Sequence, residues 1–410
     1  MINAATVSAD NPIAALRAQF PGTSHSTYVD VAARGLISYP VREAIDGFLD
    51  QRMYEGADKA WMFAQVEATR SAYAALIGAE ADEIALTKNV SEGINAIATA
   101  LPWAEGDNVV ICETLEHPAN VFPWHNLARQ RGISLKHVEA DTGRIPLERV
   151  LDAIDDRTRV VTVSSVSFSP GFRFPIDLLG DYCRARGVLL VVDAAQSIGV
   201  LDTNVKAMRV DALATSTQKG LLSLYGGGFL YIRRELAETL SPVYLSRPGV
   251  RVASGHEASM GDIASFAFAE AARRFDVGNH NFLAAIAVGR AIEMLQSIGM
   301  KNVEAHACGL ARRLAEGLAE VGLPVFGGPS DPERSHIVSV GRALSDEHDM
   351  TGDEDMVALH GSLAESGVRF TIRRGMLRFS LHVYNNTDDV DRVISLARQW
   401  NGGGRTAARA

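Results

Sequence analysis

The middle of the chain constrains the fold most. From about residue 83 to residue 232, short runs rich in β-branched residues alternate with stretches of helical periodicity. That alternation is the pattern of a parallel sheet covered by helices. The runs that read as strands are Glu83–Thr87, Asn108–Cys112, Val160–Ser164, Val188–Val192, Asp211–Thr215 and Gly228–Ile232. Amphipathic stretches such as Glu92–Leu101, Trp124–Arg131 and Leu178–Arg186 lie between them. Near Phe282 the pattern changes: Phe282–Ile298 and Val303–Val321 carry apolar residues at helical spacing. A short β-rich section follows (Ile337–Val340, Arg369–Ile372, Leu377–Leu381), then a closing helix, Asp388–Trp400. A chain of 410 residues is too long for one compact core. The expectation is therefore an α/β large domain over residues 26–281 with a mostly parallel central sheet, and a smaller α+β domain over 282–401. An N-terminal segment, 1–25, and a disordered tail, 402–410, flank them.

Composition removes several classes of function. The formal net charge is -9 and the basic residues are scattered, which argues against a nucleic-acid partner. No apolar run approaches the roughly 20 residues that span a bilayer, and the first 25 residues carry no secretory pattern. A cytoplasmic protein without membrane or nucleic-acid partners is expected. Three cysteines, Cys112, Cys183 and Cys308, are odd in number and far apart, so no disulfide framework is expected. The 11 histidines and three cysteines show no His-Glu-x-x-His or Cys-x-x-Cys spacing, so no metal site is expected either. Gly226–Gly228 does not open a helix; it reads as a turn lining the site and not as a dinucleotide fingerprint.

Ligands of open parallel sheets bind at the carboxyl ends of the strands. The wholly apolar run Val188–Val192 is followed by Asp193, Ala194, Ala195 and Gln196. A carboxylate there is expensive to bury without a cation, although it could equally cap the next helix. Beyond Asp211–Thr215 come Ser216, Thr217, Gln218 and Lys219; a loop lysine is usually solvated, but here an Asp and a Lys end two strands of one sheet. That pair has a use. Pyridoxal 5'-phosphate needs an amine for its aldehyde and a carboxylate for its pyridine nitrogen, with phosphate donors and a flat stacking partner besides. The first strand leads into Asn89-Val90-Ser91-Glu92-Gly93, which opens a helix, and a helix N-terminus is a ready anion site. Ser91 as a plain N-cap is the alternative. After Asn108–Cys112, His117 in Glu116-His117-Pro118-Ala119-Asn120 could stack on a pyridine.

These residues carry a resemblance. The stretch Val188–Ile232, together with EHPANVFPW (Glu116–Trp124), RRFDVGNHN (Arg273–Asn281) and RFSLHVYNNTDDVDRVI (Arg378–Ile394), closely resembles the class V aminotransferase and cysteine desulfurase family. The resemblance runs from about Tyr28 to Arg398 and implies a fold-type I pyridoxal-phosphate enzyme, a homodimer acting on a small amino-acid substrate. Carried over, it implies that Lys219 carries the cofactor on its amine and that Asp193 pairs with the pyridine nitrogen. His117 stacks on the ring, Gln196 bonds its phenolic oxygen, and Ser91 with Ser216 binds the phosphate; Glu92, Gly93 and Gln218 complete the cofactor site. Asn279 is implied to reach the phosphate of a neighbouring subunit, and Arg378 to grip the substrate α-carboxylate.

The departures from the family pattern bear on the reaction. Group II desulfurases carry a histidine before the lysine and a cysteine-bearing Arg-x-Gly-His-His-Cys-Ala loop. Here Gln218 precedes Lys219, Gly367–Arg378 is short and holds no cysteine, and Phe168 stands about where the family has an asparagine. All three cysteines read as small core residues. Without a mobile thiolate nothing accepts sulfur as a persulfide. The Ser-Thr-Gln-Lys-Gly run is similar to that of serine–glyoxylate type aminotransferases. A class V aminotransferase is therefore the leading reading. A β-eliminating C–S lyase or desulfurase-like enzyme, an epimerase of the isopenicillin N type, and a non-catalytic interaction protein on the same fold remain as alternatives.

Overall fold

A computed structural model describes residues 12–251, 265–345 and 348–407. Its centre is a seven-stranded sheet built from β1 (Ile84–Thr87), β2 (Asn108–Ile111), β3 (Ser134–His137), β4 (Thr158–Ser164), β5 (Leu189–Asp193), β6 (Ala212–Ser216) and β7 (Gly228–Ile232), in the spatial order β1-β7-β6-β5-β4-β2-β3. The pairs from β6 through β3 are parallel, whereas β7 runs antiparallel to both β1 and β6. Residues alternate between the two faces as the pleat requires. Val110, Val161, Val163, Leu190, Val192, Leu213 and Phe229 enter one buried cluster. Val109, Ile111, Val160, Val191, Ala212, Ala214 and Leu230 enter a second on the opposite face. Both faces are covered, which is why these strands read as unbroken apolar runs.

Five helices matter for the argument: α1 (Lys59–Ile77), α2 (Val90–Ala100), α3 (Phe282–Ile298), α4 (Met300–Glu320) and α5 (Thr387–Ala407). The smaller unit holds an antiparallel sheet of β8 (Ile337–Val340), β9 (Thr371–Arg373) and β10 (Met376–Ser380), in the order β8-β10-β9. Its core joins Val338, Leu377 and Phe379 to Leu314 of α4 and Val393 of α5. Val29 belongs to the same cluster, because Thr27–Tyr28 pairs in parallel with Val368–Arg369.

The structure differs from the sequence reading at three places, the first two for physical reasons. The edge strand β3 escapes it because Ser134-Leu135-Lys136-His137 is polar and largely solvated. The boundary drawn before Phe282 separates α3 from its packing partners: Val288, Ile292 and Leu295 of α3 share a cluster with Tyr73 and Ile77 of α1. Helical periodicity finds a buried face without saying what covers it. Lastly, α5 continues to Ala407, through 402–407 where a disordered tail was expected. Residues 408–410, and 1–11 of the N-terminal segment, lie outside the described residues.

Candidate active site

The carboxyl ends of β1, β2, β4, β5 and β6 surround a cavity of about 130 Å³, whose wall includes Ser91, His117, Ser164, Asp193, Gln196, Ser216, Gln218 and Lys219. Asp193 is the last residue of β5, delivered to the cavity by four apolar residues that bury the strand. It is 5% exposed, and Oδ1 accepts the Ala195 N–H at 2.9 Å. Among the described residues it has no ion pair. Burial pushes its carboxyl up, against the opposing pull of the Ala195 N–H and the Lys219 charge. Lys219 follows β6, and burial draws its ammonium down to about 8; Asp193 opposes this, while Arg378 and Arg373 reinforce it.

His117 caps the short turn Pro118–Asn120, with Nδ1 accepting the Ala119 N–H at 3.1 Å. That bond leaves the proton of a neutral ring on Nε2. Neutral is the favoured state, since burial, with the nearby charges of Lys219, Arg378 and Arg373, holds the imidazole down at about 4. The N-cap of α2 is Asn89, whose side chain accepts the Glu92 N–H at 2.9 Å. Ser91 is therefore not the cap, and it stands on the cavity wall in the first turn of α2. Gln196 donates from Nε2 to the Ala32 carbonyl at 3.1 Å, while its buried Oε1 has no partner.

Four residues of the sequence reading stand elsewhere. Glu92 turns away to accept the Lys88 N–H at 2.5 Å and lines a neighbouring cavity of about 320 Å³, together with Asn279 and Gly226–Gly228. Gly93 sets the packing of α2, since a Cβ there would lie 2.9 Å from the Ala214 Cβ on β6. Arg378, on β10, is 2% exposed and outside the cavity wall. Its Nη1 donates to the Phe168 carbonyl at 2.9 Å, its Nη2 reaches Thr371 Oγ1 at 3.3 Å, and Asp30 lies 3.8 Å away. Burial lowers its pKa to about 10 despite Asp30. Nη1 and Nη2 thus each donate to the chain, and the buried Nε lacks a partner among the described residues.

The sequence reading also passed over Glu116, Asn120 and Ser164, which form a buried polar network under His117. Its signal was present, as Glu116 and Asn120 stand four apart on either side of His117 and two apolar residues. None of the three cysteines lines the cavity: Cys112 and Cys183 are buried, and Cys308 on α4 accepts a contact from Arg173 Nη2 at 2.9 Å.

The α/β sheet thus presents a buried carboxylate, a lysine of lowered pKa and a helix N-terminus at one cavity, the kind of cluster in which functional sites concentrate. The chain belongs to the aminotransferase class-V family, whose model matches residues 27–393; these are pyridoxal-phosphate-dependent enzymes that act on amino acids. A probable cysteine desulfurase of Pyrococcus abyssi (strain GE5 / Orsay) is 29% identical, over 94% of this chain and 96% of the relative. Probable cysteine desulfurase 2 of Mycobacterium leprae (strain TN) is 31% identical, over 93% and 95%. The apo structure of a cysteine desulfurase from Thermococcus onnurineus NA1 superposes with a TM-score of 0.82 at 28% identity, covering 95% of this chain and 98% of that one. Among the described residues no single helix is long and apolar enough to cross a membrane.

Proposed function

We propose that this chain binds pyridoxal 5'-phosphate in the cavity at Lys219 and is a class V aminotransferase of an α-amino acid. One observation carries the reading: Asp193 ends β5 and Lys219 follows the neighbouring β6 at one cavity, a buried carboxylate without an ion pair among the described residues and an amine whose pKa burial has lowered. The residues fit the group. Asp193 suits a protonated ring nitrogen, and the hydroxyls of Ser91 and Ser216, with the first turn of α2, suit a phosphate. The neutral His117 ring suits stacking, and the orphaned Oε1 of Gln196 would find a partner in a protonated ring substituent. Bound there, pyridoxal phosphate supplies an aldehyde for the amino group and a ring that accepts the electron pair of Cα.

The chain's own part is proton handling. Lys219 Nζ, poised near 8, is unprotonated in part at neutral pH and can take the Cα proton and return it. The Asp193 carboxylate holds a proton on the ring nitrogen throughout. Gln218 offers only an amide where a group II desulfurase has an imidazole, so it adds no acid–base group. Asn279 lines the adjoining cavity beside Val277, which is 46% exposed, and near Tyr225, 63% exposed. Such exposed apolar side chains beside the cavity support a homodimer in which each copy completes the other's phosphate site.

A second reading, a β-eliminating C–S lyase, is favoured by the desulfurase relatives taken with a cavity wall that lacks cysteine. Borohydride reduction tests the cofactor first: the protein should be yellow, bleach, and carry phosphopyridoxyl on the Lys219 peptide. Label on another lysine, or no uptake of the cofactor, overturns the reading. Keto-acid formation that stalls until an amino acceptor is added then marks the aminotransferase, whereas continuous pyruvate release marks the lyase.

A further inference from the structure

Glu116 takes no part in the reading above, yet it is 4% exposed and immediately precedes His117. Its Oε1 accepts the backbone N–H of Ser164 at 2.6 Å, and its Oε2 accepts Ser164 Oγ at 2.6 Å and Asn120 Nδ2 at 2.9 Å. The Asn120 amide is oriented independently, because its Oδ1 accepts Trp124 Nε1–H at 3.1 Å and Thr162 Oγ–H at 2.8 Å. Ser164 ends β4 and is the register partner of Asp193 on β5. The carboxyl therefore fastens the turn bearing His117 to the strand beside Asp193.

Only a carboxyl satisfies this arrangement. Each oxygen receives one fixed N–H donor, from Ser164 on one side and Asn120 on the other. An amide in the same place sets its own NH2 against one of them in either orientation. A glutamate at this depth is otherwise costly, and its partners must justify it.

We propose that Glu116 is a positioning residue of the cofactor site, which holds His117 and Ser164 in place and whose charge acts on Asp193. This rests on the reading that Lys219 and Asp193 hold pyridoxal phosphate. Burial raises Glu116 to about 7, and the Asp193 charge works in the same direction. The titratable groups facing it are Asp193 from β5 and Cys112 just past β2, whose thiol burial pushes up with a further push from Glu116. Near neutrality Glu116 passes from neutral to anionic, adding negative charge behind Asp193. That charge favours the protonated form of the bound cofactor.

The test is a pH titration of bound-cofactor absorbance, with cofactor retention on dilution, for wild type, Glu116→Gln and Thr162→Val. Thr162→Val removes one bond to Asn120 but leaves both N–H donors to Glu116. The Glu116→Gln variant should titrate at a lower pH, by about half a unit or more. It should also lose cofactor about tenfold more readily, as for one charge-assisted hydrogen bond. Thr162→Val should lower thermal stability without moving the titration. A folded Glu116→Gln protein with the wild-type titration and retention overturns the proposal. If that variant does not fold, Ser164→Ala, which keeps the backbone donor, must show the same downward shift, and an unmoved titration overturns it equally. Wild-type protein that never takes up pyridoxal phosphate fails the underlying reading, which separates the two outcomes.

Discussion

Lys219 places a measurable strain on the cofactor-free protein. Burial draws its pKa from 10.5 to about 8, and each unit corresponds to about 1.36 kcal/mol. Below pH 8 the folded state holds a buried ammonium and carries the full penalty, on the order of 3 kcal/mol. Between 8 and 10.5 the folded state has released the proton that the unfolded chain still holds, so stability rises with pH; above 10.5 the penalty is gone. Lys219→Met keeps the stem and removes the titrating amine. Urea unfolding of both cofactor-free proteins should show the variant's advantage at pH 7 exceeding that at pH 10.5 by about 3 kcal/mol. Any constant packing gain of methionine cancels in the difference. A stability difference independent of pH, or one that favours lysine at neutral pH, would refute the claim that burial and not ion pairing governs this amine.

Three further outcomes follow from the geometry. Arg378→Met should destabilise the fold by about 3–5 kcal/mol, since Asp30 is left buried without its cation; a wild-type unfolding midpoint with only a raised KM would instead make Arg378 a substrate ligand. Gly93→Ala should cost about 1–3 kcal/mol and weaken cofactor retention, because the new Cβ pushes α2, and Ser91 with it, off Ala214; unchanged retention would detach Ser91 from the phosphate. A protein carrying Cys112→Ser, Cys183→Ala and Cys308→Ser should keep its turnover, and the wild type should show no persulfide after incubation with cysteine. Alanine formed stoichiometrically with sulfur, and lost on one of these substitutions, would restore the desulfurase reading.

The central sheet was legible because both of its faces are buried, so each inner strand announces itself as an apolar run ending in a polar residue. Asp193 and Lys219 drew notice as candidates because they stand at or just past the ends of such runs. The elements that escaped lack such a contrast. β3 is polar, and the buried face of α1, with Met62, Val66, Thr69, Arg70 and Tyr73 at helical spacing, is interrupted by a threonine and an arginine. Side-chain direction was the harder matter. Ser91 and Glu92 are neighbours on one helix turn, yet one faces the cavity and the other closes its own N-terminus. Sequence likewise does not reveal that Nη1 of Arg378 donates to the Phe168 carbonyl, from the other unit of the fold. Glu116 was hidden by its more conspicuous neighbour, since its role depends on Ser164 of another strand.

The pairing of Thr27–Tyr28 with Val368–Arg369 has a consequence for how the chain comes to be folded during synthesis. The Val29 N–H donates to the Arg369 carbonyl and the Ser380 N–H to the Val29 carbonyl, so this stretch is stitched to partners translated roughly 340 residues later. At about 5–20 residues per second that is a wait of some tens of seconds. Through it the segment stays an unpaired edge with Val29 exposed, while the central sheet behind it assembles. A ribosome-bound chain ending after β7 thus holds most of the cavity but cannot yet fix Ala32, whose N–H is anchored by Ser380 Oγ at 2.8 Å and whose carbonyl receives Gln196. The bond that anchors Ala32, and with it the backbone that receives Gln196, is deferred until the ribosome has delivered β10.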